Sequence, residues 1–133
     1  KYGYYINLAG HGEKMLADPT VFGGVVYFTT FTPPSGTDPC EQGGAASLYG
    51  LDFKTGAGAL PITDSPRSMS IGSGIPSAPV VSLKPSGGTT PDLYITASGG
   101  GGIGAQTRRA NINPPGMANR TNMLYWKDKR IEP

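Results

Sequence analysis

The sequence predicts an all-β protein made of antiparallel four-stranded blades, which form part of a β-propeller with long inter-strand loops. Two observations predict this class: a strand-hairpin-strand pattern that occurs twice, and 21 glycines and 13 prolines that stand mostly between the strand-like runs. Small antiparallel sheets that repeat along a chain are typical of propeller blades. A blade buries its apolar faces only against neighbouring blades, and closed propellers have about four or more. Two copies therefore predict a partial propeller that the rest of a parent protein or another chain completes.

The first copy of the pattern spans residues 13–66 and contains three recognisable strands. Two β-rich runs, 18–22 and 25–30, flank Gly23 and Gly24, which suit a two-residue hairpin because both central residues of a type I′ turn need positive φ. The second run is apolar at its start and is expected to be central and largely buried. A third strand is predicted at 47–52, and Asp52 is expected to cap the following tight turn.

The second copy spans residues 67–133 and repeats this order with longer connections. Its strands are predicted at 77–82, 92–98 and 122–126, with Asp92 at the start of the second. Residues 1–12 are predicted to hold one further strand, at 3–8, as the last strand of a preceding blade. Helix signals are nearly absent, since a segment such as 15–17 is too short for more than a turn.

Long insertions follow the second strand of each copy, at residues 32–46 and 99–121. Connections of this length are uncommon unless they bind something or are mobile. Because the insertions take the same place in the repeat, both are expected to emerge on the same face. They contain Cys40, Arg108, Arg109 and Arg120, which we predict to be partner-binding residues.

Charge is distributed unevenly along the chain. Residues 108–133 hold six basic and two acidic side chains, whereas residues 1–107 hold five basic and seven acidic ones. A basic stretch can contact an anionic partner, but Lys and Arg on strand edges also prevent aggregation, and we favour the second interpretation. No interleaving of aromatic and basic residues indicates a nucleic-acid partner, and no run of about 18 apolar residues indicates a membrane span.

The sequence does not assemble an active site, so we expect no enzyme, no metal site and no cofactor in this segment. One histidine, His11, and one cysteine, Cys40, are too few for a zinc site or a Cys-His nucleophile pair. Cys40 is either a free thiol or bonded to a cysteine outside this chain. Glycines at 99, 101 and 104 match the letters of a dinucleotide fingerprint, but no helix follows them to hold a phosphate. The carboxylates are scattered and form no EF-hand loop.

A family resemblance is carried by six segments in a fixed order: residues 12–19, 25–33, 40–44, 48–52, 72–77 and 122–130, the last with a Leu-Tyr-Trp run. Together they resemble the C-terminal propeller of the PilY/PilC family of type IV pilus assembly and tip-adhesin proteins. The resemblance covers essentially the whole chain, and the order of the motifs makes it fairly specific.

The resemblance implies a place at the end of a much longer secreted protein on the surface of a Gram-negative bacterium. Such a protein supports pilus biogenesis, tip adhesion or surface sensing, and its partners are pilins, minor pilins and the rest of the propeller. The family's calcium-binding Asp-rich loop lies in an earlier blade. No motif here matches that loop, so the resemblance assigns no metal ligand to this chain.

Two alternatives to a non-enzymatic pilus module stay open at the level of sequence. Residues 49–56 also resemble a blade motif of quinoprotein dehydrogenases, but those enzymes need a cofactor pocket with calcium and a catalytic carboxylate, none of which can be picked out. A small processed subunit of a surface appendage, assembled by strand addition at unpaired edges, is the other alternative.

Overall fold

The computed structural model describes residues 3–36, 43–83, 90–99 and 105–112. Within these ranges the chain forms eight β-strands in two antiparallel sheets and no helix, and thus no helix long and apolar enough to span a bilayer. The all-β, antiparallel class predicted from sequence is confirmed. The assignment of these sheets to propeller blades stays a prediction.

The first sheet is formed by the strands of the first copy: β1 (Lys14–Met15), β2 (Thr20–Phe22), β3 (Val25–Thr32), β4 (Ala45–Asp52) and β5 (Ser68–Ser73). Its order is β1-β3-β4-β5. β1 pairs with the C-terminal end of β3, and β2 pairs with the N-terminal end of β3. β3 and β4 pair along their whole length, from Val25 opposite Asp52 to Thr32 opposite Ala45. β3 is therefore central, as the sequence predicts.

Local turn chemistry follows the sequence closely in this sheet. Gly23 and Gly24 have φ of 59° and 83°, and they close the hairpin that joins β2 to β3. The Asp52 carboxylate accepts hydrogen bonds from the backbone N–H groups of Lys54 and Thr55 at 3.0 and 2.9 Å, so the predicted cap is confirmed. These bonds, those from Thr55 above all, lower the pKa of Asp52.

Three boundaries in the first half differ from the predictions. Residues 3–8 form no strand, and the short segment predicted as a turn contributes β1 to the sheet edge. β5 follows residue 66, the predicted end of the first blade, yet it pairs with β4, so the first sheet extends to Ser73. In β5, serine alternates with Met69 and Ile71, which is the period of a half-buried strand and thus a signal for this strand in the sequence itself.

The second sheet comprises β6 (Val80–Ser82), β7 (Asp92–Ala97) and β8 (Gln106–Asn111), in the order β6-β7-β8. β7 begins at Asp92, as predicted, but β8 lies inside the segment predicted to be an irregular insertion. It takes the position beside β7 that the sequence assigned to residues 122–126, which lie outside the described residues. β8 holds one apolar residue, Ala110, so no alternation marks it, and its pairing depends on β7 instead.

One hydrophobic core joins the two sheets. Its buried members come from both, and they are Val25, Tyr27, Ala46, Leu48, Leu60, Ile71, Leu93, Ile95 and Ile112. Two side-chain hydrogen bonds join the first sheet to the segment that leads into β6: Thr20 Oγ1 donates to Pro79 O at 2.6 Å, and Thr29 Oγ1 donates to Ser77 O at 2.9 Å. The sheets therefore pack as neighbours and bury each other's apolar faces.

Candidate binding groove

A groove of about 330 Å³ lies between β5 and β8. Both are edge strands of their sheets within the described part of the chain. The floor of the groove is apolar and includes Leu48, Ile71 and Ile95, while Arg108 and Arg109 on β8 line its other side. The groove thus combines apolar surface, strand edges and positive charge.

The register of β8 explains why Arg108 reaches the groove. Arg108 lies opposite Ile95 on β7, and Ala110 lies opposite Leu93. Residues directly opposite in an antiparallel pair share one face of the sheet, and Leu93 and Ile95 face the core. Arg108 therefore stands on the core-facing side at the sheet edge. Gly72 of β5 is a near neighbour of this side chain, because a Cβ at Gly72 would lie 3.9 Å from an Arg108 Nη atom, an ordinary contact distance.

Arg109 lies on the opposite face and differs from Arg108 in its electrostatic environment. Its Nε is 3.4 Å from the Asp92 carboxylate, which also accepts a hydrogen bond from Asn111 Nδ2 at 3.2 Å. The Asp92 side chain is 5% exposed, whereas that of Arg109 is 59% exposed. Arg108, in contrast, forms no ion pair with any residue that the structure describes. Its charge is thus the less neutralised of the two.

The structure places two of the four predicted partner-binding residues. Arg108 and Arg109 lie on a strand rather than in a loop, and both line the groove. Cys40 and Arg120 lie outside the described residues. Sequence reasoning missed the apolar floor, because Ile71 and Ile95 come from different sheets and only the packing of those sheets brings them together.

The described ends of the two insertions approach each other on one side of the molecule. Gly43 follows residues 37–42 and Gly99 precedes residues 100–104, and both line a second cavity of about 490 Å³ with Phe31 and Ile75. One described end of each insertion thus lies beside this cavity, and the emergence of both whole insertions on the same face stays a prediction. Any partner contact made there stays a prediction.

Glu13 is a partly buried carboxylate that accepts several hydrogen bonds. Its Oε1 accepts hydrogen bonds from Thr30 Oγ1 at 2.5 Å and the Tyr49 hydroxyl at 2.9 Å, and its Oε2 accepts one from the Gly10 N–H at 2.8 Å. Burial raises the pKa of Glu13, but the hydrogen bonds outweigh burial and lower the pKa below its ordinary value. Such a carboxylate is a poor general acid near neutral pH. It instead ties residues 10–13 to β3 and β4.

Replacing Tyr49 with Phe is expected to lower the free energy of unfolding by about 1–2 kcal/mol at neutral pH, because a donor to an ionised carboxylate is lost. Tyr27→Phe is the matched control. The Tyr27 hydroxyl is buried and has no hydrogen-bond partner in the described structure, and burial raises its pKa to about 12. Its removal is expected to be neutral or slightly stabilising. Urea unfolding of both variants measures the difference.

The penalty of Tyr49→Phe should also depend on pH. Because the pKa of Glu13 is lowered in the folded state, its stabilising contribution is present above the ordinary value of 4.5 and is lost as the pH falls through the folded value. The difference between Tyr49→Phe and the wild-type chain should therefore shrink in acid. Equal penalties for Tyr49→Phe and Tyr27→Phe at neutral pH would contradict the role given to Glu13.

Among the residues that the structure describes, no three His, Cys, Asp or Glu side chains are grouped to share a metal ion. The expectation that this segment binds no metal or cofactor stays a prediction.

No family model matches the chain, and no solved structure matches it. Over 65 residues the chain is 37% identical to a protein of Xylella fastidiosa (strain Temecula1) named type IV pilus biogenesis factor PilY1 homolog. The match covers 45% of this chain and 4% of that relative, so the chain corresponds to a small part of the relative's length. This partial similarity supports a distant PilY-like relationship and hints at an association with type IV pili.

Proposed function

We propose that this chain is a non-enzymatic binding and assembly module of a type IV pilus-associated protein on the surface of a Gram-negative bacterium. The observation that carries the proposal is the 37% identity over 65 residues to a type IV pilus biogenesis factor. The order of the sequence motifs supports it, because that order resembles the C-terminal propeller of the PilY/PilC family. In this proposal the chain contributes blades to a propeller that the remainder of a parent protein completes.

The architecture is compatible with this role. β2, β3, β4 and β5 are consecutive antiparallel neighbours, which is the arrangement of a four-stranded propeller blade. The second sheet packs beside this one through a shared core, as adjacent blades do. The exposed edge of β8 and the ends of the two insertions supply surface for pilins or minor pilins.

Replacing Arg108 and Arg109 together by Ala should weaken association with pili by about twofold to tenfold, since each exposed cation contributes only modestly to a charge pair. The measurement is a pull-down of sheared pili of the source bacterium on the immobilised full chain. The loss should be smaller at high salt, where attraction between exposed charges is screened.

The double variant Lys14→Ala with Lys54→Ala is the matched control, because both lysines are exposed on the first sheet or its turn and the change in net charge is the same. Circular dichroism should show unchanged strand content in both variants. Unaltered pull-down of the arginine variant would show that pilus binding runs through other surfaces.

A further inference from the structure

We infer that the groove between β5 and β8 accepts an extended segment of a partner protein, which pairs with β8 through main-chain hydrogen bonds and places a carboxylate beside Arg108. The inference rests on the proposed binding function and gives the class of partner for that surface. It can fail separately, because its test contains no pilus protein.

β8 is the better of the two edges for strand addition. It pairs with β7 in an unbroken register over Gln106–Asn111, and its other edge is unpaired within the described residues. β5 is less regular, because its pairing with β4 shifts register between Ala46 and Ser47, and Gly72 has φ of 123°. An added strand needs a regular row of free N–H and C=O groups, which favours β8.

The lining of the groove selects for a particular segment. Leu48, Ile71 and Ile95 in the floor are almost fully buried. The half-buried Met69 and Ala110 supply the apolar surface for alternate side chains of an extended chain. Neither β5 nor β8 contains an acidic residue, and Arg108 has no ion-pair partner among the described residues. A carboxylate on the segment would supply that partner. A basic segment would instead be repelled by Arg108.

Protection of an exposed edge against aggregation is a simpler explanation for arginines on β8. Arg109 fits it well, since its side chain is 59% exposed and lies on the face away from the core. Arg108 is exposed as well, and a charge on the core-facing side of an edge strand also protects it, so this explanation accommodates both arginines. The two explanations differ in whether Arg108 discriminates between an acidic and a neutral segment.

The test measures binding of fluorescein-labelled peptides to the full chain by fluorescence anisotropy at low salt. One peptide alternates threonine and valine with a central glutamate, a second carries glutamine at the centre, and a third carries prolines that remove the N–H donors. We expect the glutamate peptide to bind about twofold to fivefold more tightly than the glutamine peptide, as for an exposed ion pair. The proline peptide should not bind.

Arg108→Gln should abolish the preference for glutamate, whereas Lys54→Gln, the control with the same change in charge away from the groove, should keep it. This comparison is a double-mutant cycle between the chain and the peptide. A preference that persists in Arg108→Gln, or equal binding of the two peptides to the unaltered chain, would overturn the assignment of Arg108. Equal binding of the proline peptide would overturn strand addition.

Absence of binding by all three peptides would also overturn the inference. Sedimentation velocity would then show whether a second copy of the chain covers β8. Protection from hydrogen exchange of those β8 amides that do not face β7, in a monomer, would instead assign the edge to the chain's own residues 113–133. Neither result would bear on the pull-down of pili, so failure of this inference is distinguishable from failure of the proposed function.

Discussion

Replacing Leu48 with Ala is expected to lower the free energy of unfolding by about 2–5 kcal/mol. Leu48 is fully buried in the middle of β4, between Thr29 on β3 and Met69 on β5. It belongs to the core cluster that also includes Leu93 and Ile95 of the second sheet. The substitution removes apolar contacts and leaves a cavity where the two sheets meet. Small domains are stable by only about 5–15 kcal/mol, so this loss is large.

Chemical unfolding followed by circular dichroism measures the effect, and Leu16→Ala is the matched control. Leu16 is 52% exposed, so the same substitution there should change the unfolding free energy by about 0.5 kcal/mol or less. Sulfate can be added if the chain alone is marginally stable.

The Leu48 variant also tests whether the two sheets form one cooperative unit. Because the core is shared, hydrogen exchange should accelerate in β7 as well as in β3 and β4. Faster exchange confined to the first sheet would show that the sheets unfold independently. In that case the shared core would contribute less to stability than its burial indicates.

The features that sequence predicts best in this chain are those set by neighbouring residues. The turn at Gly23 and Gly24 requires positive φ, and glycine supplies it wherever the hairpin lies in the fold. Asp52 caps a turn with hydrogen bonds to residues two and three positions ahead. Both features depend on a few adjacent residues, so no knowledge of tertiary packing was needed.

β8 shows why the second sheet and the groove were harder to predict from sequence. Gln106–Asn111 is almost entirely polar, and it becomes a strand because β7 offers a free edge of matching length. The hydrophobic pattern of a sequence indicates which residues are buried, and an exposed edge strand buries few side chains. The positive charge of Arg108 and Arg109 was visible in the sequence. Their placement over an apolar groove was not, because it depends on the register of β8 and on the packing of one sheet against the other.

Gly74→Ala is expected to cost about 2–5 kcal/mol, because it combines backbone strain with a steric clash. Gly74 has φ of 92°, and a Cβ there would lie 2.6 Å from Ser98 Oγ and 2.7 Å from the Gly99 backbone nitrogen. Hydrogen bonds of Ile75, directly after Gly74, connect the end of β5 to the residue that follows β7. Ile75 N–H donates to Ser98 Oγ at 2.8 Å, and Ser98 N–H donates to Ile75 O at 3.0 Å.

Gly72→Ala separates backbone strain from steric clash. Gly72 also has a positive φ, of 123°, but a Cβ there would have no neighbouring atom closer than Arg108 Nη2 at 3.9 Å. Its cost should be about 1–3 kcal/mol from strain alone, and the excess at Gly74 then measures the clash. Thermal and chemical unfolding of both variants provide the comparison.

Because the clash at Gly74 is expected to push β5 away from the end of β7, the Gly74→Ala variant should also bind the glutamate peptide more weakly under conditions where it is fully folded. Equal losses of unfolding free energy at the two positions would show that the segment around Gly74 moves to accept a Cβ without further cost. The spacing of β5 and β8 would then not depend on Gly74.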